Sequence, residues 1–206
     1  MIDPPQYFKH FSIILKIRIM KKIIAVEWLS LDGYFSDSKN GTDWFVSDEE
    51  TWKYLLKLFT NFDTILLGQV TYDMFAAYWP KPNPSDPNPQ VLIDFMNNSR
   101  KVVFSKSLKK AEWNNSVVMK DINATEINKM KQEATKDIVI FGSGSIVSQL
   151  TELGLIDEYK FLVNPVFLGN GKTIFKSAES KAKLKLLDSK AFDGGNIMLH
   201  YEMDKK

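Results

Sequence analysis

A chain of 206 residues with 44% hydrophobic and 25% charged side chains has the make-up of a globular domain with one substantial core. Its net charge of +2 gives no field that would favour nucleic acid or an anionic membrane as partner. The absence of cysteine excludes disulfides, thiolate catalysis and cysteine metal sites and fits a cytoplasmic setting; the two histidines, His10 and His200, stand apart and offer neither a zinc site nor a Ser-His-Asp triad, so no metal is expected.

Residues 1–19 read as a segment added ahead of the domain. Met1-Ile2-Asp3-Pro4-Pro5 cannot begin a regular element, and the apolar run from Phe11 to Ile19 is broken by Lys16 and Arg18 and is too short to span a bilayer. Residues 20–206 then read as one domain without an interior linker or repeat. Ile23–Leu29 is a strand, followed by a structured loop, Ser30-Leu31-Asp32-Gly33-Tyr34-Phe35. Ser47, with Glu50 three residues on, predicts a capping box and a helix carrying Trp52, Leu55, Leu56 and Phe59 on one face.

Thr64–Leu67 is a second buried strand, and Gly68-Gln69-Val70-Thr71 turns into a helix over Tyr72–Tyr78. The segment 81–90, with four prolines, is a loop. A short helix over Val91–Asn97, strands at Lys101–Phe104 and Val117–Met119, and a helix over Thr125–Thr135 follow. Near the C-terminus, Tyr159–Val163 is a strand. Lys183–Ser189 and Asn196–Glu202 alternate and flank Asp193-Gly194-Gly195, which predicts an antiparallel pair. Gly171-Lys172-Thr173 resembles the end of a phosphate-binding P-loop, but the first glycine of that motif would fall at Val166, so a turn between strands is expected instead.

The most informative stretch is Asp137–Leu155. Ile138-Val139-Ile140-Phe141 is a strand buried on both faces. Gly142-Ser143-Gly144-Ser145 is a turn of small residues. Ile146, Val147, Leu150 and Leu153 then mark one face of a helix that Gly154 ends. A strand, a glycine turn and a helix present free backbone N–H groups and a positive dipole end to a phosphate. The stretch is not a dinucleotide fingerprint, because Val147 stands where the third glycine belongs and Asp157 and Glu158 precede the next strand instead of ending it. A tight turn without ligand remains the other reading of the motif by itself.

Five segments in order carry a resemblance: Glu27–Gly33, Leu66–Tyr72, Val102–Lys106, Phe141–Ser145 and Asn164–Gly171. Together they resemble the reductase domain of the bifunctional riboflavin-biosynthesis deaminase/reductase and its stand-alone relatives of dihydrofolate reductase-like fold, over Met20 to about Met203. The resemblance implies an α/β, three-layer αβα architecture with a mixed, mostly parallel central sheet and antiparallel C-terminal strands. It also implies an NADPH-dependent reductase acting on a small heterocyclic (pterin- or pyrimidine-like) or carbonyl substrate, and a homodimer paired through the C-terminal strands.

By the same resemblance, the cofactor pyrophosphate is held by Gly142, Ser143, Gly144, Ser145 and Ile146 and, from the other side, by Gly68, Gln69 and Thr71. Ser105 and Lys106 adjoin the adenosine ribose and its 2′-phosphate. Gln69 stands where an arginine is usual and Lys106 replaces another, which removes one fixed charge and keeps one. With no cysteine in the chain, the Cys-x-x-Cys of a deaminase is absent.

Hydride transfer needs no protein nucleophile, only orientation, electrostatics and at most one proton donor. Glu27, inside an otherwise apolar strand, and Asp32 are the candidate catalytic acids; Asp43 and Asp48 are others, and Asp32 also suits a turn-shaping role. Trp28, Trp44, Tyr72 and Trp79 are candidates to line a flat substrate pocket. The alternative to an enzyme is a non-catalytic nucleotide-binding or regulatory module that retains the fold.

Overall fold

Apolar, β-branched runs form the middle of an eight-stranded sheet because both faces there are covered by helices. The computed structural model describes residues 20–85, 88–175 and 182–204; the segment expected as an addition, 1–19, lies outside them. In chain order the elements are β1 (Ile23–Ser30), β2 (Ser36–Asp37), α1 (Glu49–Phe59), β3 (Phe62–Gly68), α2 (Gln69–Tyr78), α3 (Gln90–Asn98), β4 (Arg100–Phe104) and β5 (Ser116–Met119). They continue with α4 (Ala124–Glu133), β6 (Asp137–Phe141), α5 (Gly144–Glu152), β7 (Glu158–Asn164), β8 (Gly171–Lys172), β9 (Leu184–Ala191) and β10 (Ile197–Met203).

The sheet runs β5-β4-β3-β6-β1-β7-β10-β9. Strands β5 to β7 are parallel, and β10 pairs antiparallel with both β7 and β9. This is the mixed sheet with antiparallel C-terminal strands that the resemblance implied. Alternate residues of each strand feed two cores. Ile24, Val26 and Trp28 pack with Leu55, Phe59, Leu92 and Met96 of α1 and α3 on one face. Ile23 and Ala25 pack with Ile127, Met130, Val147 and Leu150 of α4 and α5 on the other. The result is three layers, αβα.

Several local expectations are corrected. The N-cap of α1 is Asp48, not Ser47: its carboxylate accepts the Thr51 N–H at 2.6 Å, while the Ser47 hydroxyl accepts from the Trp52 indole. Glu50 therefore closes no capping box and pairs with Lys190 at 2.7 Å. Helix α2 begins at Gln69, so Gln69, Val70 and Thr71 are its first turn and Gly68 is its N-cap. Gly171-Lys172 is a strand, β8, paired with the short β2, which was also missed. Gly154, with φ at +65°, does end α5: the Leu155 N–H reaches Leu150 O and the Gly154 N–H reaches Thr151 O, a Schellman closure.

Candidate active site

The strand order puts the sequence motifs side by side. Register pairs Gly68 of β3 with Phe104 of β4, Leu66 of β3 with Ile140 of β6, and Val26 of β1 with Phe141 of β6. Ser105, Gly68, Gly142 and Glu27, dispersed along the chain, thus line one C-terminal edge of the parallel strands, where ligands of such sheets bind. A cavity of about 1130 Å³ opens along this edge.

At its centre two helices start on adjacent strands. The Gly68 N–H donates to Ser143 Oγ at 3.1 Å, and Thr71 Oγ1 donates to Gly142 O at 2.7 Å. The two turns are thereby tied together. Neither the Gly68 N-cap of α2 nor the Ser143 N-cap of α5 is capped by its own side chain, whereas α1 and α4 are capped by Asp48 and Asn123. The first-turn N–H groups of a helix have no acceptor within it. Those of Gln69 and Val70 in α2, and of Gly144 and Ser145 in α5, belong to residues of the cavity wall.

Two glycines are sterically required. Gly142 has φ at +67°, and a Cβ on Gly144 would meet the Phe35 ring at 2.8 Å.

Glu27 is 1% exposed and reaches this turn from β1. Its Oε1 accepts the Ser143 N–H at 3.1 Å, and the Gly142 backbone also favours its ionised form. Burial outweighs both and pushes its carboxyl up to about 8, so at neutral pH the group carries a proton. Gln69 points its carbonyl at the Ser105 hydroxyl, 2.5 Å, and the Ser107 hydroxyl, 2.8 Å. Lys106 projects from the end of β4 with its side chain 88% exposed, 3.9 Å from Asp121 Oδ1. Gly68, Gln69, Thr71, Ser105, Lys106 and the whole run Gly142–Ile146 line the cavity.

Beside the polar turns the cavity is aromatic. Trp28 stacks on Phe45 with centroids 5.6 Å apart and tilts against Phe141 at 5.2 Å; Phe141 also meets Phe59 and Phe75, and Phe75 meets Trp79 edge-on. The backbone of Val46, next to Phe45, is clamped by two fully buried asparagines: Asn164 Oδ1 accepts its N–H at 2.9 Å, and Asn196 Nδ2 donates to its carbonyl at 2.8 Å.

Three expected site residues are not walls of this cavity. Asp32 accepts from the Ser30 hydroxyl at 2.6 Å and from the Gly169 N–H at 2.7 Å; the Ser30 bond, first of all, holds its carboxyl below the ordinary range. It fastens the loop after β1 to the loop before β8. Tyr72 is core, its hydroxyl accepting the Trp113 N–H at 3.0 Å. Trp44 packs edge-on against Phe45 and donates to Gly41 O at 3.2 Å, and it is Phe45 that faces the cavity.

Trp28 and Trp79 line the cavity as expected, whereas sequence reading missed Phe45, Phe75 and Phe141 as walls, and Asn164 and Asn196 as clamps. The i, i+4 spacing of Phe75 and Trp79 was a usable signal for one shared helix face. Nothing local marks the asparagines.

These features define a three-layer α/β protein with a cleft at the C-terminal ends of its parallel strands. Residues 21–198 match the model of the RibD C-terminal domain, and the chain belongs to that family. It is 29% identical over 185 residues to the uncharacterized protein YyaP of Bacillus subtilis (strain 168), covering 88% of this chain and 94% of that protein. Among solved structures it resembles the diaminohydroxyphosphoribosylaminopyrimidine deaminase/5-amino-6-(5-phosphoribosylamino)uracil reductase of Thermotoga maritima. The TM-score there is 0.64 and the identity 15%, over 90% of this chain and 57% of that one. It also resembles the dihydrofolate reductase of Enterococcus faecalis complexed with NADP(H), with a TM-score of 0.58 and 14% identity over 89% of this chain and 97% of that one. Among the described residues no helix is long and apolar enough to cross a membrane.

Proposed function

We propose that this chain is an NADPH-dependent reductase that transfers a hydride to a small heterocyclic, pterin- or pyrimidine-like, or carbonyl substrate. The observation that carries the reading is the pair of uncapped helix N-termini, α2 and α5, stitched together at the cavity beside a buried, protonated carboxyl. The residues fit the cofactor: the glycines keep the turns free of Cβ atoms, and the N–H groups of Gln69, Val70, Gly144 and Ser145 are placed to bind phosphates.

Ser105 and Lys106, at the end of β4, would hold the adenosine end. When bound, NADPH supplies the hydride. Glu27 holds a proton at its carboxyl oxygen and can give it to the substrate as negative charge develops there. The aromatic wall orients a flat substrate and keeps water away. The reductase activity for which the Thermotoga protein is named and the NADP(H) of the Enterococcus complex support this assignment by analogy.

A second reading, a non-catalytic nucleotide-binding module, is favoured by Gln69, which brings no charge to the phosphate turn and is occupied with Ser105 and Ser107. Stopped-flow oxidation of bound NADPH against a panel of pterins, pyrimidines and quinones separates the two. Turnover of at least one compound is expected, and tight NADPH binding with no turnover on any of them selects the module.

The assembly proposed is a homodimer through β9 and β10. Edge strand β9 leaves Leu184, Leu186 and Leu187 about half exposed opposite the Tyr201–Met203 end of β10, and such edges are usually covered.

A further inference from the structure

We propose that the aromatic half of the cavity, walled by Trp28, Phe45, Phe59, Phe75, Trp79 and Leu92, binds an uncharged, planar aromatic substrate of one or two fused rings and excludes phosphate esters. This rests on the reductase reading above and narrows its substrate class.

Space comes first. The cavity of about 1130 Å³ exceeds the roughly 300–1,000 Å³ of common small-molecule sites, which suits two ligands side by side. One half is the polar pair of helix starts. The other is built of rings whose faces and edges already pack as aromatic pairs do, with Trp28 between Phe45 and Phe141. A planar ligand can extend that arrangement.

Charge comes second. Glu27 is the ionisable side chain of β1 at this junction, and it offers an acid to a substrate but no positive charge to an anion. The wall cations belong elsewhere. Lys106 and Lys120 follow β4 and β5, and β4 lies three strands from β1, about 14 Å at the usual strand spacing of roughly 4.8 Å. Lys172, on β8, is engaged by Asn40 Oδ1. A phosphate among the rings would lose its hydration and gain no cation in return, which is strongly unfavourable.

Rigidity comes third. Asn164 and Asn196 hold Val46 from both sides, so the Phe45 ring is set over Trp28 before any ligand arrives.

The test is calorimetric titration of the full chain with a matched pair, 1-naphthol and 1-naphthyl phosphate, with NADPH titrated separately. 1-Naphthol is expected to bind at least a hundredfold more tightly than its phosphate ester. Phe45→Ala, at a side chain partly open to solvent, should weaken 1-naphthol about tenfold and leave NADPH affinity in place, which also reports that the variant is folded. Leu92→Trp, which fills the chamber, should abolish 1-naphthol binding. Equal affinity for the pair, preference for the ester, or indifference to Phe45→Ala overturns the proposal. NADPH binding without 1-naphthol binding sinks the chamber assignment alone. Binding of 1-naphthol that depends on Phe45, with no NADPH binding, sinks the reductase reading and leaves the chamber standing.

Discussion

The backbone N–H of Ser143 donates to Glu27 Oε1 at 3.1 Å, so the glycine turn after β6 is anchored to a carboxyl in the first strand. The carboxyl is buried, and the turn it holds is the one assigned to the cofactor phosphates. One group therefore connects the two halves of the cavity.

Its ionisation should be visible in stability. Glu27 titrates at about 8 when folded, against an ordinary glutamate value of 4.5 when unfolded. Between these values the native state binds the extra proton. Stability from this group is thus fully present below pH 4.5 and is lost as pH rises through about 8, by a few kcal/mol in all. Glu27→Gln keeps an acceptor for Ser143 and cannot titrate. Urea unfolding at pH 5.5 and pH 9 should show a falling wild-type stability and a flatter variant. Parallel slopes for the two proteins would mean that Glu27 does not carry the proton.

The contact between Phe35 and Gly144 predicts a compensating pair. Gly144→Ala brings a Cβ to 2.8 Å from the ring and should destabilise by about 1–3 kcal/mol through overpacking. Phe35→Leu vacates the space. In a double-mutant cycle by chemical denaturation, the combined variant should be more stable than the sum of the single effects by about 1 kcal/mol. Strict additivity would mean that Gly144 is not held small by Phe35.

Lys106 should discriminate the two nicotinamide cofactors only weakly. Its ammonium is open to solvent and has Asp121 for a neighbour at 3.9 Å, so its gain on meeting a 2′-phosphate is on the scale of an exposed ion pair, up to about 1 kcal/mol or fivefold. Lys106→Ala should weaken NADPH by that factor and leave NADH unchanged, and Asp121→Asn should strengthen NADPH. Calorimetric titration of both cofactors decides this, and an equal loss for both would remove Lys106 from the 2′-phosphate.

The proposed homodimer has a surface to break. Leu186 faces outward on β9 opposite Tyr201 of β10, about half exposed. Light scattering at micromolar concentration should give twice the 23.7 kDa chain mass, and Leu186→Lys should halve it. A wild-type monomer at that concentration would dispose of the idea.

Much of this molecule is written locally. Ile138–Phe141 and Ile23–Val26 are continuous apolar runs because the sheet is covered on both faces, and a run of that kind reads as a strand whatever its neighbours are. The glycine turn, the end of α5 at Gly154 and the hairpin around Gly195 depend on φ values that few residues tolerate, so they too stand in the sequence.

The assembly is not local. Gly68 and Gly142 become neighbours only because β6 enters the sheet between β3 and β1, and no segment encodes that order by itself. Asp32 and Tyr72 have the chemistry of site residues, but the first binds Gly169 and the second Trp113, partners far away in the chain. The aromatic chamber draws rings from β1, α1, α2, β6 and the loop before α1, and its closing ring is set by Asn164 and Asn196 from the opposite end of the sequence. Period and turn chemistry depend on near neighbours and survive in one dimension. A binding site depends on which side chains meet, and that is decided by the packing of strands and helices in three.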